Sequence, residues 1–237
     1  ISEFVQLLSK LKKSPTTIQQ HIVATRKVLN YAYANNYIKH LPKFPSVKIN
    51  SISRGSFNLS EYKLLVQTAK RYVHTKIVDP TKSQRKRGRF HMEPYLTISP
   101  ELQWLIRFMV NSFIRPSDIK NLQHQHITVV RNEHTYLRMN LPESKKHDKP
   151  IVTIQSAVPV YEQLKKYHAL NGRAESTDYL FFPELRDRTD VLMLLGWQFM
   201  FVQKIAKIEA NAANGRRRTL YSLRHTAITF RLLYGGS

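Results

Sequence analysis

Three short β-rich runs, Thr128–Val130, Tyr136–Leu141 and Ile151–Ile154, lie in the middle of a chain whose other periodic segments all have helical spacing. Turn residues separate them, and the second turn, Glu143 to Lys149, carries three lysines at what reads as a hairpin tip. This order restricts the fold to a mainly α chain with one small three-stranded antiparallel sheet inserted. There is no internal repeat.

The helical segments have legible boundaries. Ser14-Pro15 starts a helix, because proline at the first helical position loses no needed donor. Ile18, Ile22, Leu29, Ala32 and Tyr33 then follow helical spacing until Asn35-Asn36 and Pro42 end the segment. A second helix opens at Ser60, with Ser60 as the expected cap, Glu61 favourable to the helix dipole, and Leu59 with Leu64 at the spacing of a hydrophobic staple. A third starts at Ser99-Pro100-Glu101 and sets Leu102, Leu105, Ile106, Met109 and Phe113 on one core face. Pro116 ends it, because a residue preceding proline is pushed off helical dihedrals. A short helix from Pro116 through Leu122, longer ones over Ala157–Leu170 and Leu192–Ala212, and a last one after Leu220 complete the pattern. Periodicity vanishes over the Ser-, Gly- and Pro-enriched residues 43–58. The expected organisation is therefore a helical domain over 1–48, a linker over 49–58 and a mixed α+β domain over 59–237.

Charge decides the class of partner. The 237 residues carry 38 Lys and Arg against 16 Asp and Glu, a formal net charge of +22. That excess points to a polyanion, with nucleic acid ahead of an anionic membrane surface. Glu3 is the only acidic residue before position 51, against eight Lys and Arg, which suits a helical segment lying along a phosphate backbone. Lys82, Arg85, Lys86, Arg87 and Arg89 form an aperiodic cationic loop, and Arg216, Arg217 and Arg218 a basic run; both are candidate DNA contacts. With no cysteine, disulfides, a Cys nucleophile and Cys-based metal sites are excluded, and a reducing compartment is expected. No apolar run reaches the length of a spanning helix, so no membrane is expected. The start at Ile1 shows no signal peptide and no initiator Met, as expected of an internal piece of a longer chain.

Three cations stand at unusual corners. Arg115 precedes Pro116 between two helices, Lys145 lies on the hairpin tip, and Arg224 lies near the start of the last helix. Two guanidinium forks converging on one phosphate hold its non-bridging oxygens, and an ammonium can protonate a leaving oxygen. No acidic cluster of the two-metal nuclease kind accompanies them, so charge stabilisation would fall on the cations and no metal or cofactor is expected.

These residues resemble a known family. Asn111-Ser112-Phe113-Ile114-Arg115-Pro116-Ser117-Asp118-Ile119 is similar to the first arginine motif of the tyrosine recombinases, the phage integrase family. Tyr221-Ser222-Leu223-Arg224-His225-Thr226 is similar to that family's His-x-Leu-Arg-His box, and the lysine hairpin lies between them. The resemblance implies a helical core-binding domain over 1–48 and a catalytic domain over 59–237. It implies site-specific recombination of duplex DNA through a 3′-phosphotyrosyl intermediate, without metal or nucleotide, by four copies on two DNA sites. A bacterial or phage-encoded cytoplasmic protein is implied with it. Arg115 and Arg224 would hold the scissile phosphate. Lys145 would assist proton transfer, with Lys146 the neighbour able to take its place or to bind DNA beside it. His225 would support the site and the DNA contact.

Two departures stand out. Tyr221 occupies the family's usual histidine position; a phenol, with a pKa of about 10, positions a phosphate but makes a poor base at neutral pH. The family's nucleophilic tyrosine lies well beyond the second arginine, and Tyr234 follows Arg224 too closely to serve, so the nucleophile is expected outside these residues and the chain alone is expected not to cleave. The alternatives are a DNA-binding protein decayed on the same scaffold, a type IB topoisomerase-like enzyme, and, on charge alone, an RNA-binding or ribosome-associated protein.

Overall fold

The computed structural model describes residues 1–49, 55–78, 95–141, 150–185, 187–213 and 215–235. They separate into two compact units, Ile1–Ile52 and Ser53–Ser237. Among the described residues no helix is long and apolar enough to cross a membrane.

The first unit is built on two helices, α1 (Ser2–Lys10) and α2 (Pro15–Ala34). Ser14 caps α2 as expected: its Oγ accepts the Thr17 amide at 3.2 Å, with Pro15 at the first helical position. Asn35 and Asn36 end it, the latter at φ 58°. The unit has a thin core of Leu8, Ile18 and Ile22, flanked by Val5, Phe44 and Val47. The stripe read from the sequence buries less than its spacing suggests, since Tyr33 is exposed.

The second unit opens with α3 (Leu59–Arg71). Its cap is Asn58 and not Ser60. The Asn58 Oδ1 accepts the Glu61 amide at 2.9 Å, and the Glu61 carboxylate accepts the Asn58 amide at 2.9 Å, a reciprocal capping box. Leu59 and Leu64 are both exposed, and with Asn58 as the cap Leu59 is the first helical residue and not the one before the cap that a staple uses. Phe57, inside the expected linker, is only 1% exposed and belongs to the core of this unit. The core of the second unit therefore begins before position 59. Gly55 explains the close approach there: a Cβ on it would lie 2.1 Å from the Ala212 Cβ.

A two-stranded hairpin absent from the sequence reading follows, β1 (Lys76–Val78) antiparallel to β2 (Tyr95–Thr97). The central helix is α4 (Glu101–Ser112), buried on nearly every side and packed against α3, α6, α7 and α8. Here α6 is Ala157–Leu170, α7 Arg188–Ile205 and α8 Leu220–Tyr234. The single turn α5 (Pro116–Ile119) follows α4. The three-stranded antiparallel sheet is present in the expected place, in the order β3 (Ile127–Arg131), β4 (Thr135–Met139), β5 (Ile151–Val152), with Val129 opposite Leu137 and Met139 opposite Ile151.

Helix α7 begins earlier than the expected Leu192 and ends before Ala212. The Asp187 Oδ1 caps it by accepting the Thr189 amide at 2.9 Å, and the chain turns out of the helix where Lys207 takes φ 54°.

Candidate active site

Arg115 and Arg224, far apart in the chain, meet at the corner between α4 and α5. Helix α4 ends because Phe113 takes a left-handed conformation, φ 58°. The chain then runs extended through Arg115, at φ −82° and ψ 148°, the N-cap residue of α5 ahead of Pro116. Helix α8 approaches this corner because its buried face, Leu220, Ser222, Leu223, Thr226 and Ala227, packs into the core. Arg224 lies on the half-buried side of α8, and its Nη1 donates to the Phe113 carbonyl, two residues before Arg115.

The electrostatics follow from that placement. Burial first, and then the like charge of Arg115, push the Arg224 guanidinium below its ordinary pKa; Tyr221 and Asp118 partly offset this. Arginine stays protonated at neutral pH even so. Two guanidiniums within each other's field repel, and an anion shared between them relieves the repulsion while offering acceptors to both forks. Asp118 is the nearby carboxylate, and its Oδ2 is buried with no hydrogen-bond partner.

Tyr221 and His225 sit one helical turn apart on α8, their rings 5.2 Å between centroids and tilted by 60°. Tyr221, three residues before Arg224 on the same helix, thus packs its ring on that of His225.

The basic run after position 215 divides. Arg216 and Arg217 are exposed, and Arg217 donates to the Met200 Sδ at 2.8 Å. Arg218 is corrected from the DNA-contact set, being 5% exposed with its fork committed to protein acceptors. It donates from Nη1 to both Glu61 carboxylate oxygens at 3.0 Å, and from Nε and Nη2 to the Glu209 carbonyl at 2.9 and 2.5 Å. The guanidinium also lies 4.8 Å from the Phe57 ring centroid. Lys82, Arg85, Lys86, Arg87 and Arg89, and the two lysines expected at a hairpin tip, Lys145 and Lys146, lie outside the described residues.

Three participants escaped the sequence reading. Asp118 lies in the quoted motif, at a helix start where an acid also serves the dipole. The Phe113 carbonyl is a backbone group, which side-chain patterns do not reveal. Arg188 gives its donors to the backbone carbonyls of Lys120, Phe181, Phe182 and Leu185, and no spacing announces it. Among the described residues no cluster of three or more His, Asp or Glu side chains is arranged to hold a metal ion.

No family model matches the chain, and no curated protein matches it. Solved structures do. A lambda integrase dimer bound to a COC′ core site aligns over 98% of this chain and 56% of its own, with a TM-score of 0.60 at 11% identity. A lambda integrase tetramer bound to a Holliday junction gives 0.60 at 12% identity, over 98% of this chain and 57% of its own. The Tn1549 transposon integrase, residues 82–397, in complex with circular intermediate DNA gives 0.58 at 11% identity, over 99% and 72%. The chain spans little more than half the length of the first of these. At such identities the likeness concerns architecture: the chain has the tyrosine recombinase fold.

Proposed function

We propose that this chain supplies the DNA-clamping and phosphate-activating parts of a tyrosine-type site-specific DNA recombinase. The observation that carries the reading is the pairing of Arg115 with Arg224 at one corner, on a fold shared with integrases. In this reading the scissile phosphate lies between the two guanidiniums. A tyrosine hydroxyl from outside these residues attacks phosphorus and gives up its proton to solvent water. The Tyr–O–P bond forms as the bond to the 5′ oxygen breaks, and Lys145, or its neighbour Lys146 in its place, delivers a proton to that oxygen. The arginines stabilise charge that develops on the non-bridging oxygens. Attack by a 5′ hydroxyl of the partner strand reverses the step and exchanges strands. Tyr221 and His225 support the phosphate and its neighbours.

Duplex DNA is the substrate. The helical unit acts as the core-binding domain and the second unit as the catalytic domain, and four copies assemble on two sites. The exposed cations of the first unit, the cations between Lys82 and Arg89, and Arg216 and Arg217 bind backbone, which makes affinity fall steeply with salt.

The test uses the protein encoded by the natural gene and a nicked duplex carrying its own element junction. A covalent adduct resistant to detergent is expected with wild type and is lost in Arg115→Ala and Arg224→Ala. An Arg115→Ala variant that forms adduct as wild type does refutes the reading. A non-cleaving DNA-binding protein is the second reading, favoured by Tyr221 at the usual histidine position; it expects duplex binding with no adduct from any variant.

A further inference from the structure

The four-residue helix α5 carries Arg115 at its N-cap, yet one turn of helix is too short to hold itself, since nucleation fixes several dihedrals for a single bond. Its position depends on what grips the chain on either side. On the near side, Arg224 takes the Phe113 carbonyl. On the far side, the residue after the helix is Lys120, and its carbonyl accepts the Arg188 Nε at 2.6 Å.

Arg188 does more than that one bond. Its Nη1 donates to the carbonyls of Phe182 at 2.7 Å and Leu185 at 3.1 Å, and its Nη2 to that of Phe181 at 2.7 Å. Its guanidinium carbon lies over Tyr179, 3.9 Å from the ring centroid. These four acceptors are backbone carbonyls, three from residues 181–185 and one from the end of α5. The same two strands of chain are zipped beyond Arg188: Leu180 donates to the Leu122 carbonyl at 2.8 Å, and His124 to that of Asp178 at 3.1 Å. Only a planar fork with five donors can serve such a set, and a lysine ammonium cannot.

We propose that Arg188 is a positioning residue for Arg115. It ties the far end of α5 to the 179–185 loop, and so sets where Arg115 stands relative to Arg224. The inference rests on the reading that these two arginines share a phosphate, and it adds a third arginine that never touches that phosphate.

The test is side-chain nitrogen NMR of the full chain, following the Nε signals of Arg115 and Arg224 during titration with inorganic phosphate, well below the melting temperature of every variant. Wild type is expected to show both signals moving together. Arg188→Lys is expected to shift the Arg115 signal before any phosphate is added, leave the Arg224 signal nearly in place, and weaken phosphate binding by about tenfold. Folded Arg188→Lys with an unmoved Arg115 signal and wild-type phosphate affinity overturns the proposal. Should Arg188→Lys not fold, Tyr179→Leu keeps every donor and removes only the stacking ring. It is expected to show the same changes in smaller measure, and wild-type behaviour in it overturns the proposal equally. If wild type itself binds no phosphate, the shared-phosphate reading fails, and the phosphate-free shift of Arg115 in Arg188→Lys still decides the role of Arg188.

Discussion

Replacing Arg218 by methionine distinguishes a structural arginine from a DNA-binding one. The side chain is 5% exposed, and its partner Glu61 keeps 25% side-chain exposure. Methionine fills much of the same space but leaves the Glu61 carboxylate with only its capping bond to the Asn58 amide. It also strips two of the three donors from the Glu209 carbonyl, which keeps only the Gln203 side-chain amide at 3.0 Å. Breaking a buried ion pair by removing one partner costs about 3 to 5 kcal/mol. The remaining water access of Glu61 places Arg218→Met at the low end, about 3 kcal/mol. For a unit of this size each kcal/mol moves the melting temperature by roughly 3 °C, so a drop of about 9 °C is expected by thermal unfolding. Glu61→Gln combined with Arg218→Met should cost less than the two singles together, because the second change removes the unpaired charge left by the first.

Duplex binding measured against salt supplies the other half of the test. Each phosphate contact contributes about 0.9 to the slope of log affinity on log salt. Arg218→Met should leave that slope unchanged, while Arg216→Ala lowers it by about one. A variant at 218 that melts within about 2 °C of wild type and loses slope refutes the structural assignment and returns Arg218 to the DNA interface.

Three further perturbations test the core around the site. His124 is 4% exposed, and burial, followed by the charges of His168 and Lys165, lowers its pKa to about 4, with Asp178 opposing. The unfolded chain binds this proton near pH 6.5 and the folded one only near pH 4, so stability falls as pH drops through that window, by at most roughly 3 kcal/mol; urea midpoints at pH 7 and 4.5 measure it, and His124→Gln should reduce the difference. Thr226→Val removes the acceptor of the Phe57 amide, 2.8 Å away, and should cost about 1 to 3 kcal/mol in chemical denaturation, with Thr226→Ser recovering most of it. Gly55→Ala should cost about 1 to 3 kcal/mol by forcing its new Cβ against Ala212, and adding Ala212→Gly should restore the melting temperature.

The sheet was legible because β-branched and aromatic residues concentrate in three runs with turn residues between them, and the structure pairs those runs in sequence order. Helix α4 was legible from its dense apolar period, but it ends before the residue preceding proline, at Ser112, because Phe113 turns left-handed and leaves the helix instead of joining its core face. Boundaries were lost where two residues of equal capping chemistry compete. Asn58 and Ser60 both suit a helix start, and what separates them is the spacing of Asn58 to Glu61, three residues, which allows the reciprocal bonds. The β1–β2 hairpin was missed because its strands are three residues each and flank a run whose cations dominate any pattern.

The site divides along a different line. Arg115 and Arg224 could be singled out because each sits beside local punctuation, a proline in one case and a helix start in the other. Arg216, Arg217 and Arg218 have no such difference; three adjacent arginines read alike. What withdraws the third is Glu61, 157 residues away in the chain, together with Phe57. The same holds for Arg188, whose acceptor at Lys120 is 68 residues distant. A formal charge of +22 therefore overstates the surface that meets a polyanion. Arg188 and Arg218 spend their donors on backbone carbonyls or a carboxylate, and Arg224 gives one to Phe113. In a chain this rich in arginine, the fork that suits phosphate also suits carbonyl-rich corners, so net charge identifies the class of partner while only tertiary geometry says which cations remain for it.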